Sequence, residues 1–436
     1  MALSKVLITA AIGLSFAQTI APCAFGQSLD ETLALAEFSN PALSVSETDT
    51  EIAREALREA RAQGRVNVTL SASAGYETTD SNRLFTTQIG ERSLGTAQLE
   101  ASLPIYTGGR VSAGVRAAEA GIDAADSRLE FQRQTIYFAA ISAFLNVAAG
   151  RETVEIRENN VRLLVEQVEA AQARFRVGFI TRTDVALAEA RLAGARAGLA
   201  LSEAELEGFF ADFEAVTGVA PGDLGAVPPT PVLPIDFDEA LASLLATNPQ
   251  LIALREDVRA ASEAVQVEAS AGRAQIDIVG TAGGQQEFDN SLYDSSVSAF
   301  ARGTIPLWQS GAVNSRVRSA KLRREQARLQ VQAAERDLRA ALATSWYGYI
   351  AAQRSIEASE RQIEAAEIAF EGAKRELSVG TRTTLDVLDS EQDLLDARLT
   401  LVQAERDSQL AAYQILQSVG DLRRERILPV TPVPLP

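Results

Sequence analysis

Two hydrophobic spacings divide this chain. From Val66 to Tyr76, the residues Val66, Val68, Leu70, Ala72, Ala74 and Tyr76 alternate with Asn67, Thr69, Ser71, Ser73 and Gly75. A period of two with one apolar face marks a half-buried strand. The alternation returns where Ala97, Leu99, Ala101 and Leu103 interleave with Gln98, Glu100 and Ser102, and again, less cleanly, at about 276–282 and 295–305. Strands are therefore predicted at about 66–77, 96–105, 274–284 and 295–305. Each run is about ten residues, the length a tilted strand needs to cross a bilayer. Tyr76, Tyr106 and Trp308 stand near strand ends, where interfacial aromatics belong. The other face carries Gln98, Glu100, Asp277 and Arg302, which suits a water-filled lumen. Four strands cannot close a barrel, whose practical minimum is about eight, so any barrel must be shared between chains.

Elsewhere the period is helical. Leu29 to Ala62 reads as helix broken at Asn40-Pro41. A long helix is predicted over about 109–176 and a second over 311–378, with return helices at about 183–217 and 384–418. Ile122, Leu129, Ile136 and Ala143 recur every seventh residue, as do Val154, Val161, Val168 and Phe175. Ile356, Ile363, Phe370 and Leu377 answer them later in the chain. Sustained heptads mean coiled-coil packing, and a helix this long would span on the order of 100 Å.

Each long helix stops at the same kind of turn. Val177, Gly178, Thr181 and Asp184 recur as Val379, Gly380, Thr383 and Asp386, about 202 residues later. Glycine after a long helix predicts a left-handed cap, and Thr383 with Asp386 predicts a capping box that starts the next helix. The offset also pairs Pro104 with Pro306, Gly109 with Gly311 and Gly218 with Gly420; nearer the N-terminus it becomes about 208. So long a period means duplication of a whole domain. The two offsets agree if the segment between Glu77 and Gln98 is a longer surface loop than its counterpart. The organisation predicted is a signal peptide over 1–26, a first repeat over 27–218, a Pro-rich linker over 219–235, a second repeat over 236–422 and a Pro-rich tail over 423–436.

Composition narrows the function. Among 436 residues there is no His and one Cys, which removes His/Cys metal sites and Ser-His or Cys-His catalysis. No cofactor is expected. A net charge of −17 argues against a nucleic-acid partner. Lys5, the apolar run Val6–Ile20 and Ala24-Phe25-Gly26 read as a secretory signal with its cleavage site. A secreted carboxylate enzyme is disfavoured, because no acidic pair sits in a pocket signature. The rival that remains is a secreted coiled-coil rod or adhesin without channel activity.

With the duplicated helix–strand–strand–helix–helix plan and the run VGTRTTLDVLD in place, the chain resembles the TolC family of outer-membrane channel proteins over about 29–422. The resemblance implies an α+β membrane protein. Three chains would share a twelve-stranded β-barrel in the outer membrane and a long α-helical coiled-coil tunnel in the periplasm. It implies an exit duct for efflux or type I secretion, not an enzyme. Its partners would be outer-membrane lipid, a periplasmic adaptor and an inner-membrane ABC or RND transporter. By position, Asp386 and Asp389 match the acidic rings at the tunnel's periplasmic gate, and Arg382 and Asp184 match the pair that holds the gate shut. The turns containing Val177, Gly178, Thr181, Val379, Gly380 and Thr383 would dock the adaptor. One departure stands out: the family's Tyr in the closing network falls at Leu377, which has no hydroxyl.

Overall fold

The computed structural model describes residues 27–83, 86–288 and 293–427. The expected signal peptide and the residues from 428 onward lie outside them. Two short helices come first, α1 (Leu29–Ser39) and α2 (Pro41–Ala62), followed by strands β1 (Asn67–Arg83) and β2 (Thr86–Tyr106). The long α3 (Arg110–Arg176) and the return α4 (Arg182–Thr217) complete the series. It then repeats as α5 (Phe237–Thr247), α6 (Pro249–Ser270), β3 (Gln275–Glu287), β4 (Tyr293–Thr304), α7 (Ala312–Ser378) and α8 (Thr384–Val419), with a short α9 (Arg424–Ile427) at the end. Corresponding helices have equal lengths: 11 residues in α1 and α5, 22 in α2 and α6, 67 in α3 and α7, and 36 in α4 and α8.

Local chemistry sets the helix ends. Ser28 and Glu31 close a capping box on α1. Asn40 ends α1 and caps α2, its side chain accepting from the Ala42 N–H, while Pro41 occupies the first turn where its missing N–H costs nothing. The matching positions Asn248 and Pro249 do the same for α6.

The strands form one antiparallel meander, β1-β2-β3-β4. Its register aligns like with like. Leu70 faces Leu99, Leu99 faces Ala282, and Ala282 faces Val297. The next row runs Thr69, Glu100, Thr281 and Ser298, with the last two hydroxyls 2.7 Å apart. A row of Asn67, Ser102, Val279 and Phe300 puts two apolar residues on the polar face, where the Arg302 guanidinium lies 5.3 Å from the centre of the Phe300 ring.

The segment expected to be a longer loop is strand. The β1–β2 ladder continues through Asp80↔Ile89 to Arg83↔Thr86, whereas β2 leaves β3 at Leu94↔Glu287. The sequence Glu77-Thr78-Thr79-Asp80-Ser81-Asn82 has no apolar face. Alternation therefore vanishes where the ladder runs on as a two-stranded ribbon. No helix among the described residues is long and apolar enough to cross a membrane.

Among the described residues four hydrophobic clusters hold the helices. One gathers Leu33, Phe144, Phe213, Tyr413, Leu422 and Ile427 from α1, α3, α4, α8 and the C-terminal segment. A second, in the other repeat, gathers Leu244, Leu251, Leu342 and Ile415. Two more lie toward the turns: Leu164, Val168, Ala188 and Leu192 with Leu388, and Ala366, Phe370 and Ala373 with Val387. Neighbouring residues of α8 thus serve different hairpins, Val387 its own and Leu388 the α3–α4 pair.

The linker is irregular but fastened down. Gln27 bridges to Leu224, Arg151 donates to the Gly222 carbonyl, and Gln409 donates to Thr230.

Candidate functional site at the helix-hairpin tips

Both tips are built by one backbone device. Gly178 has φ 79° and Gly380 φ 80°. The N–H of Phe179 reaches the carbonyl of Arg174 at 2.9 Å, and that of Gly178 reaches Phe175 at 2.9 Å. At the second tip Thr381 reaches Glu376 at 3.0 Å and Gly380 reaches Leu377 at 3.1 Å. These paired bonds are the Schellman closure of a helix C-terminus. Valine, phenylalanine and valine at 177, 179 and 379 are 69%, 83% and 74% exposed, leaving apolar surface at the tips.

The next helices begin with capping boxes, as the Thr-x-x-Asp spacing predicts. Thr181 N–H and Oγ1 both donate to Asp184 Oδ2 at 2.8 Å, and Asp184 N–H donates back to Oγ1 at 3.3 Å. At the second tip Thr383 N–H and Oγ1 donate to Asp386 Oδ2 at 2.9 and 2.7 Å, and Asp386 N–H returns the bond at 3.2 Å. The Thr383 bonds, helped by the Arg382 charge, hold the Asp386 carboxyl below its ordinary value of 3.8.

Within one chain Arg382 does not pair with Asp184. Its Nε donates to Glu376 Oε2 at 2.7 Å, across its own turn, while the Asp184 carboxylate serves Thr181. Asp389 is drawn to the other hairpin, where Arg191 Nη2 lies 2.7 Å from its Oδ1. Leu377 packs against the Ala366–Phe370–Ala373 cluster, an apolar use of that position.

One acidic residue at this level is buried. Glu391 on α8 is 4% exposed, and its Oε1 accepts from Asn160 Nδ2 of α3 at 3.1 Å. Burial pushes its carboxyl up to about 7 against the lowering effects of Asn160 and Lys374. The sequence carried a signal for it, since Glu391 lies between Leu388 and Leu395 on the apolar stripe of α8. Among the described residues no group of three or more Asp, Glu, His or Cys is placed to hold a metal ion.

Comparison with known proteins agrees along almost the whole chain. The family profile described as "Outer membrane efflux protein" matches residues 32–218 and again 240–421. The outer membrane efflux protein BepC of Brucella suis is 30% identical over 428 residues, covering 97% of this chain and 92% of that protein. The outer membrane protein TolC of Escherichia coli is 24% identical over 447 residues, covering 97% and 88%. Among solved structures, the Campylobacter jejuni CmeC outer membrane channel superposes with a TM-score of 0.80 at 16% identity, covering 90% of this chain and 86% of that one.

Proposed function

Since this chain belongs to the outer membrane efflux protein family, and is therefore an outer-membrane channel protein and not an enzyme, we propose that three copies assemble into the exit duct of a tripartite efflux or type I secretion system. The observation that carries this reading is the sheet. Its end strands β1 and β4 each leave one edge without a partner in the meander, and its rows sort into an apolar and a largely polar face. Open edges are costly in lipid, where every backbone group must be satisfied by another strand. Three such sheets, joined edge to edge, supply twelve strands with an apolar exterior and a wet lumen. Purification in detergent tests this, with a trimer that conducts ions across planar bilayers as the expected result. A monodisperse monomer with full β content, or a rod without conductance, would overturn it.

We place the periplasmic gate at the hairpin tips. Asp386 and Asp389 from three chains put six carboxylates around the opening, and such a ring attracts cations. Because Arg382 and Asp184 do not meet within one chain, the closing contact joins neighbouring protomers. The tip turns dock a periplasmic adaptor that links the duct to an inner-membrane ABC or RND pump. Their exposed Val177, Phe179 and Val379 supply an apolar surface for it.

A further inference from the structure

We propose that Glu391 is a proton-operated latch between the two helix hairpins, seating the N-terminal part of α8 against α3 when protonated and releasing it when ionised. Near its N-terminal end α8 meets the first hairpin through three ties. Leu388 enters the Leu164–Val168–Ala188–Leu192 cluster, Asp389 pairs with Arg191, and Glu391 reaches Asn160. Of the two polar ties only the last is withdrawn from water, with Asn160 8% and Glu391 4% exposed. An exposed pair such as Asp389–Arg191 is worth little by comparison.

The Glu391 carboxylate is badly provided for. Asn160 satisfies Oε1, but Oε2 is buried without a hydrogen-bond partner. A buried carboxylate usually gathers several donors, and one left short favours the neutral acid. The group borders a cavity of about 340 Å³ where α3, α4 and α8 converge. The other charged residues lining it are Arg157 of α3 and Arg191 of α4; Arg191 is committed to Asp389. From α7, Lys374 pulls the carboxyl down, yet burial outweighs both that charge and the Asn160 bond. The cavity gives water a place to enter when the helices part, so release ends the penalty.

The direction follows from linkage. Seated, the carboxyl titrates near 7 against an ordinary 4.5. Below about pH 4.5 it is neutral whether seated or released, and the seat keeps its full stability. As pH rises through about 7 the seated acid must ionise, and that stability is lost. A shift of this size corresponds to at most about 300-fold in the equilibrium between seated and released helices.

Hydrogen exchange of residues 386–396 in the full-length protein in detergent tests the latch, comparing pH 5.5 with pH 8.5 after correction for intrinsic amide rates. The wild type is expected to lose tenfold or more of its protection at the higher pH. Glu391→Gln, which cannot ionise, should keep the same protection at both. Asn160→Leu removes the donor and should move the wild-type midpoint upward, giving a second readout if the glutamine variant fails to assemble. Equal loss of protection in wild type and Glu391→Gln, or an unmoved midpoint in Asn160→Leu, would overturn the proposal. The latch is tested as a contact within one chain, so its failure leaves the channel reading standing.

Discussion

Asp389 of the second hairpin and Arg191 of the first are joined at 2.7 Å across 198 residues of sequence. The bond ties a proposed ring carboxylate to the neighbouring helix pair and partly neutralises it. Arg191→Ala should therefore strengthen cation preference in single-channel recordings, whereas Asp389→Ala should weaken it. Both partners are about half exposed, so either change should alter stability by no more than about 1 kcal/mol. Equal shifts of selectivity in the same direction would place Asp389 away from the conducting path.

Removing both carboxylates, by Asp386→Ala with Asp389→Ala, should abolish most of the cation preference of the pore. The wild-type preference should persist into acid. The Thr383 bonds hold the Asp386 carboxyl below 3.8, so its capping contribution is present above that value and lost only as pH falls through the lowered pKa. Reversal potentials recorded down to pH 4 check this, and a preference that halves near pH 6 would be incompatible with it.

Arg382→Ser together with Asp184→Ala should raise single-channel conductance, since the proposed contact between protomers is removed three times over. Because Arg382 pairs with Glu376 in the same chain, Glu376→Ala should free it and lower conductance. Unchanged conductance in both variants would remove these residues from the gate.

Gly380 and Gly420 share a φ of 80° but not their surroundings. A Cβ on Gly380 would meet nothing within 4 Å, while one on Gly420 would lie 2.7 Å from the Thr247 carbonyl oxygen and 2.8 Å from Pro249 Cδ. Gly380→Ala should cost about 1–2 kcal/mol from the left-handed backbone alone, and Gly420→Ala distinctly more. Thermal unfolding of the two variants measures the difference. A bulkier residue at 380 should abolish export while leaving assembled protein in the outer membrane; normal export would remove the tip from the docking surface.

Much of this architecture was legible because its signals are local. Gly178, Gly380, Thr181 and Thr383 announce turn and cap within a few residues, and the structure gives each the geometry its chemistry demands. The meander's sidedness was equally plain from Val68, Leu70, Leu99 and Ala101, since a period of two fixes the face. The ribbon beyond Tyr76 was not, because a ladder without an apolar side leaves no alternation. Nor were the partners of the charged side chains. Arg191 finds Asp389 and Asn160 finds Glu391 across 198 and 231 residues, and such pairs exist only once two hairpins lie side by side. Arg382 turning to Glu376 is a choice of rotamer at one tip, which spacing does not decide.

Equal helix lengths make the two hairpins act as matched rulers. Each residue added to a helix lifts its tip by about 1.5 Å and swings it by about a third of a turn. A single deletion in α7 would thus drop one tip below the other and rotate Leu388 and Glu391 away from their seats on α3, though every remaining side chain were unaltered. The same deletion made at corresponding places in α3 and α7 would keep the tips level and shorten the duct as a whole. The chain should accordingly forgive paired changes of length far better than solitary ones, and the reach of the duct is a dimension that only both halves together can alter.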